Sequence, residues 1–479
     1  MTSEGDVIRE NDPVFIRLPS ENVRFIHAKP NNTISLGKFG SFLTNSLIGQ
    51  HYDEYFEIYE PRKIRVVQRF TNEELEDESK NNKELVDSGS NQKLQHEEIE
   101  KLKGNLKTGS LKDEKLIEQI AQSSTTFDKK TSFAQAKYLA RKGEKYFQKF
   151  HALKPCMEVI ARYMLERDPT KVLDLTPETI GLMLTLANVR PGGRYLVVDE
   201  SGCLLLGSLM ERVNRKCQVM LIHPNEQPNN SCLELWGSSF TEEALKKNES
   251  LRTLNWLHAV DPEEELREFE VADIDPEAFE ALKPRHKKRY LHRKAFYAKL
   301  KSDMEDYAAG NYDALLYVSN YHPKTTLKYL LPKVGLSCPV IIYSPYQNTL
   351  VETSHALVSY THPVSHSEVQ EGTEKPVEVE AFDKLLGLDI HEARQLSYQV
   401  LPGRTHPLMT QRGDMGYILS AIKVRNFNNI LAAGRFPKRS LRAKNSKSAK
   451  RTKTETPVQT PVTEPADTPM QEAAEACAK

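Results

Sequence analysis

From about residue 156 onward the chain repeats one rhythm, a short β-branched and aliphatic run followed by a helix-like stretch. The runs are RYLVVD (194–199), QVMLIH (218–223), DALLYVS (313–319) and PVIIYS (339–344), with CLLLGSLMERV and TTLKYLLPKV between them. Runs this uniformly apolar are buried on both faces, and strands alternating with helices build a parallel sheet covered on each side. An α/β domain over 156–432 follows. Two late runs, LSYQVLP and GYILSAIKV, are expected to pair as a terminal hairpin. Residues 224–308 carry PEEELREFE and RHKKRYLHRK, break the rhythm and read as a charged, partly helical insertion.

Upstream the pattern is different. PVFIRLP, VRFIHAKP, TISLGKFGSF, YFEIYE and KIRVVQRF alternate with turn residues, as in a small β-barrel or sandwich over 8–70. TNEELEDESKNNK then reads as a solvated loop, the first domain boundary. A connector over 71–155 carries helical spacing: two short helices between 93 and 122, then a helix opened by the capping pair Ser132 and Gln135 and running to about residue 153. From 433 to 479 the chain is basic, then Pro- and Thr-rich, too poor in apolar residues to fold, so a disordered tail is expected.

Lys plus Arg and Asp plus Glu both number 66, so the whole molecule has no field to attract a polyanion and any such binding must come from local clustering. The six cysteines, at 156, 203, 217, 232, 338 and 477, form no CxxC pair. With no secretory leader apparent, a reducing compartment without structural zinc is expected. No stretch reaches the roughly 18 apolar residues that span a bilayer, so no membrane partner is expected.

RYLVVDESGCLLLGSLMERV has the strand, turn and helix form in which α/β proteins hold a nucleotide-like ligand against a helix N-terminus. Close approach needs glycines, yet the turn offers Ser201, Gly202, Cys203, Leu204 and Leu205. The next strand should end in a carboxylate for ribose hydroxyls but ends in His223-Pro224, and ALLYVS ends in Ser319-Asn320-Tyr321-His322-Pro323, also without an acid. Losing two charge-assisted hydrogen bonds, each about 1.5 to 3 kcal/mol, removes at least roughly a hundredfold in affinity. Three absences on one sheet argue for an ordinary turn rather than a cofactor site. His223 and His322 read as structural, not as metal ligands or acid-base groups.

Cations cluster instead. Lys137, Arg141, Lys145 and Lys149 fall four apart on the helix opened at Ser132, opposite Phe133, Ala136, Ala140, Phe147 and Phe150. Lys137, Tyr138, Arg141, Lys142 and Lys145 would therefore face a phosphate backbone, or merely solvent. Arg167 and Lys171 extend that track. Arg285, Lys287, Lys288, Arg289, Arg293 and Lys294 surround Tyr290, either a merely solvated helix or one suited to phosphate contact and base stacking, with Arg289 and Arg293 the candidate contacts. Pro402 and Gly403 fix a loop presenting Gln399, Arg404 and His406, and Asp87, Asn91 and Gln92 either cap backbone or read RNA edges. The basic residues from Arg435 to Lys453 suit a nuclear-localisation signal or an RNA tether.

Several segments together, SLGKFGSF (35–42), LVDSGSNQKL (85–94), STTFDKKTSFAQAKY (124–138), LTLANVRPGGRYLVVDESGCLLLGSLMERV (184–213) and YQVLPGRTHP (398–407), carry a resemblance. The chain resembles the family of non-catalytic, tRNA-binding subunits of eukaryotic tRNA (adenine(58)-N1)-methyltransferase. The resemblance implies a Rossmann-like, class I methyltransferase-type sheet with a degenerate cofactor site, behind a small N-terminal β-barrel and a helical connector. It implies no cofactor in this chain, and a related catalytic partner that binds S-adenosylmethionine in a two-plus-two heterotetramer. The expected product is N1-methyladenosine in the T-loop of tRNA, initiator methionine tRNA included, made in the nucleus. It favours RNA contact for the FAQAKY helix and the YQVLPGRTHP loop. Two other readings stay open: an active RNA methyltransferase with an atypical cofactor pocket, and a scaffold with no RNA role.

Overall fold

Period-two burial organises the N-terminal region. In β1 (Pro13–Arg17), Val14 and Ile16 enter one core while Phe15 enters another on the opposite face. β2 (Val23–His27), β3 (Thr33–Ser35), β4 (Ser41–Leu43), β5 (Tyr55–Glu60), β6 (Lys63–Val67) and β7 (Lys149–Leu153) complete it. They form an antiparallel sheet of order β2-β1-β7-β5-β6 and a separate β3-β4 ladder. The computed structural model describes residues 7–60, 62–67, 122–123, 127, 135, 149–361, 385–400, 405–411 and 415–425. The two short helices and the basic face expected between 93 and 148 therefore lie outside the described residues, as does the tail.

β7 corrects the expectation of a helix continuing to about residue 153. Phe150 and Ala152 alternate into the core, Phe150 stacking on Phe42 at 4.9 Å and on Phe56 at 5.4 Å between ring centroids. His151 alternates out and stacks on Tyr55. The three-residue spacing of Phe147 and Phe150 imitates a helical stripe, but the slot between β1 and β5 supplies backbone partners on both edges. On the far face, Phe15 packs against Phe25 and against Tyr163 of α1 (Met157–Arg167), joining this sheet to the larger domain.

That domain continues with α2 (Pro177–Leu186), whose N-cap Thr176 accepts the Thr179 N–H, then β8 (Arg194–Asp199), α3 (Leu204–Arg212), β9 (Gln218–His223), α4 (Glu242–Lys247) and β10 (Leu251–Asn255). After it come α5 (Trp256–Val260), α6 (Pro262–Phe269), α7 (Pro276–Ala281), α8 (Pro284–Ala309), β11 (Ala314–Val318), α9 (Pro323–Leu330), β12 (Pro339–Ser344) and α10 (Gln347–Thr361). β13 (Leu385–Glu392), β14 (Tyr398–Gln399), β15 (His406–Pro407) and β16 (Tyr417–Lys423) end the described chain. The sheet order is β10-β9-β8-β11-β12-β16-β13, parallel from β10 to β12, with β16 antiparallel to both neighbours. α1, α2 and α3 cover one face and α8, α9 and α10 the other. This is the helix-covered parallel sheet that the alternation implied, of the Rossmann-like, class I methyltransferase type that the resemblance implied, and its order reverses between β8 and β11.

Two expectations are corrected here. Residues 224–308 are not an insertion, because β10 is a strand of the main sheet and the helices after it are its crossover to β11. β10 was hidden because it is an edge strand in which only Leu251 and Leu254 are buried, with Arg252, Thr253 and Asn255 interrupting any apolar run. GYILSAIKV pairs with LLGLDIHE rather than LSYQVLP, which makes only the two-residue β14-β15 ladder. Gly387, at φ 64° in the irregularity between Leu386 and Asp389, masks the alternation of β13. Among the described residues no helix is long and apolar enough to cross a membrane.

Candidate functional site

The crevice at the carboxyl ends of β8 and β11 is where a doubly wound sheet holds its ligand. A helix starting there offers unpaired N–H groups to an anion. In α3 those groups are spent internally. The buried Asp199 carboxylate accepts from the Ser201 N–H at 2.8 Å and from the Leu206 N–H at 2.9 Å, and also from the Ser201 hydroxyl, which itself accepts the Leu205 N–H at 3.4 Å. Burial raises the Asp199 carboxyl above its usual range, opposed by the hydrogen bonds from Ser201 and Leu206.

The space above the turn is also taken. The Cys232 N–H donates to the Gly202 carbonyl at 2.9 Å, and a Cβ on Gly202, whose φ is +72°, would stand 2.8 Å from Ser231 Oγ. Trp236 lies on Gly207, where a Cβ would meet its ring at 2.4 Å, and its indole N–H donates to Glu211 at 2.7 Å. Leu204, Leu205, Leu206, Cys232 and Leu233 are all buried. The chain's own residues 231–236 fill the approach that glycines would leave open, so this donor set does not fit S-adenosylmethionine. Burial pushes the Cys232 thiol up to about 12 and the Cys203 thiol well above its ordinary value, which keeps both protonated. Lys171 stands close enough to Cys232 to oppose that rise.

At the end of β9, His223 is buried with Nδ1 unpartnered among the described residues, and desolvation lowers its pKa to about 4, so it is neutral near pH 7. Glu242 is nearby, but it accepts from Asn230 at 2.9 Å and pairs with Lys246 at 2.5 Å. At the end of β11 the local sequence lacks an acid, yet the fold brings one. Glu200 accepts from the Ser319 hydroxyl at 2.7 Å, from the Asn320 N–H at 3.0 Å and from the Asn320 amide at 3.2 Å. No sequence signal links positions 119 residues apart, so the sequence alone does not place Glu200 here. Its oxygens are satisfied at home. His322 caps α9 by accepting the Lys324 N–H and faces Glu352 at 3.3 Å. Among the described residues no three His, Cys, Asp or Glu side chains converge as a metal site requires.

The sequence-derived contact residues fall on separate elements. Arg289 and Arg293 are exposed one turn apart on α8. Tyr290 is not free for base stacking, because its ring tilts against Phe279 and its hydroxyl accepts the Ile274 N–H. Arg167, at the end of α1, donates to the Tyr163 hydroxyl at 2.7 Å. Gln399 and His406 are register partners across β14-β15, with the Gln399 amide nitrogen buried and unpartnered among the described residues. Asp87, Asn91, Gln92, Lys137, Tyr138, Arg141, Lys142, Lys145 and Arg404 lie outside the described residues.

The sequence profile of the Gcd10p family matches residues 7–283. The chain is 51% identical over 463 residues to the curated non-catalytic subunit of tRNA (adenine(58)-N(1))-methyltransferase of Schizosaccharomyces pombe, covering 95% of this chain and 100% of that one. The protein of the same name from Debaryomyces hansenii is 35% identical, with 87% of each chain covered. Among solved structures, the tRNA (m1A58) methyltransferase of Aquifex aeolicus matches with a TM-score of 0.41 and 12% identity, over 88% of this chain and 100% of that one.

Proposed function

The chain belongs to the Gcd10p family, as a non-catalytic subunit of tRNA (adenine(58)-N(1))-methyltransferase, and from that premise we propose that it is the part of the complex that grips tRNA. A related catalytic subunit carries S-adenosylmethionine and the chemistry. The filled crevice carries this reading: Asp199 accepts the Leu206 amide of α3, Ser201 the Leu205 amide, and residues 231–236 occupy the ligand's path. A protein that retains the sheet but spends its ligand-binding groups on itself contributes surface instead of catalysis.

The RNA-facing groups on this reading are Lys137, Tyr138, Arg141, Lys142 and Lys145, with Asp87, Asn91 and Gln92, Arg167 and Lys171, Arg289 and Arg293, and the loop bearing Gln399, Arg404 and His406. The modified nucleotide is adenosine 58 of the T-loop, initiator methionine tRNA included, and the site of action is the nucleus, in keeping with the basic run from Arg435 to Lys453. The assembly on this reading is a two-plus-two heterotetramer, and the apolar side chains left exposed around β14 and β15, Tyr398, Val400 and Met409 among them, suit a subunit contact.

The test is co-expression with the catalytic partner, then methylation of a tRNA transcript by each subunit alone and by the mixture. Activity is expected in the mixture and not in this chain alone. Calorimetry of this chain with S-adenosylmethionine should give no binding isotherm; saturable binding there would overturn the reading.

A further inference from the structure

Helix α8 enters the domain by its C-terminal half, where Leu300, Met304 and Tyr307 are buried in the core. Its N-terminal half is supported from one side. There Lys287 pairs with Glu280 at 2.8 Å and lies over the Phe279 ring, Tyr290 packs on that ring, and Lys294 pairs with Asp273. Positions 287, 290 and 294 share a face by their spacing of three and four. Arg285, Lys288, Arg289 and His292 share the opposite face, with Arg293 at its edge. All are exposed, and none of their side chains makes an ion pair or hydrogen bond among the described residues.

The charges are sorted across this arm. Pro284 to Ser302 holds eight Lys or Arg and no Asp or Glu, while 261–280 holds ten Asp or Glu. The two acids that reach α8, Glu280 and Asp273, meet its supported face. On the open face Arg285, Arg289 and Arg293 stand at i, i+4 and i+8, an arrangement that repels itself in a solvated helix and is relieved by a polyanion. Their Cα atoms rise by about 6 Å per step, and each guanidinium presents a fork matched to phosphate.

We propose that Arg285, Lys288, Arg289 and Arg293 form a track for the sugar–phosphate backbone of RNA, an arm that grips by charge and does not read bases. This rests on the tRNA-binding reading above and extends it to Arg285 and Lys288 while excluding Lys287 and Lys294. Tyr290 is held against Phe279, so its ring is not offered to a base.

The experiment uses the full chain co-purified with its catalytic subunit and a labelled, unmodified tRNA transcript, titrated between about 50 and 200 mM salt. Arg285→Ala, Arg289→Ala and Arg293→Ala combined should lower the slope of log affinity against log salt by about 2 to 3, with the melting temperature unchanged. The corresponding three Arg→Lys changes should keep the slope, and Lys287→Ala with Lys294→Ala should leave it near wild type. Should the triple alanine variant misfold, Arg289→Gln alone is expected to reduce the slope by about 0.7 to 0.9. An unchanged slope in a folded variant overturns the track and leaves the tRNA-binding reading standing. No salt-dependent retention by the wild-type complex overturns both. Loss of the catalytic subunit with the slope intact assigns the face to protein contact and overturns the track.

Discussion

At Gly207 the absence of a side chain is a packing requirement. A Cβ there would meet the Trp236 ring at 2.4 Å, whereas one at Gly181, in α2, would meet nothing within 4 Å. Gly207→Ala is therefore expected to destabilise by about 1 to 3 kcal/mol, and Gly181→Ala to be neutral or stabilising by up to about 1 kcal/mol, in chemical denaturation. His223 gives a pH test. Its folded pKa of about 4 lies below the ordinary histidine value of 6.5, so the unfolded chain binds more protons between those values. Stability should rise with pH across that window, and in His223→Leu the difference from wild type should remove part of that slope, read as melting temperature against pH. Of the site, the sequence made the missing glycines legible, since Cys203, Leu204 and Leu205 stand in the turn itself. It could not show Glu200 meeting Ser319 and Asn320, because that contact joins separate strands.

Elements were legible where both faces of a strand are covered. β8, β9, β11 and β12 lie centrally and read as unbroken apolar runs. β10 and β7 were not: β10 lies at the sheet edge with only Leu251 and Leu254 buried, and in β7 polar Lys149 and His151 interrupt Phe150, Ala152 and Leu153. β7 is also far in sequence from both strands it joins, so nothing local favours it over a helix. Because Phe150 stacks on two other rings, Phe150→Ala should cost about 3 to 5 kcal/mol in urea denaturation. A solvent-facing helical residue would cost a small fraction of that.

At the scale of the whole molecule, zero formal net charge conceals segregation, with acids over 261–280 and cations from Pro284 to Ser302. Such a chain attracts a polyanion through one surface at a time, and screening at a Debye length of about 8 Å keeps those surfaces independent at physiological salt. The wedge of residues 231–236 is held by packing rather than by charge. Cys232, Leu233 and Trp236 belong to the main core, so they cannot be lifted from the turn without unpacking the domain. Placing glycines back at 203 and 204 would leave that wedge where it is. Reopening the crevice therefore takes several changes made together, because no single substitution both clears the turn and moves the wedge.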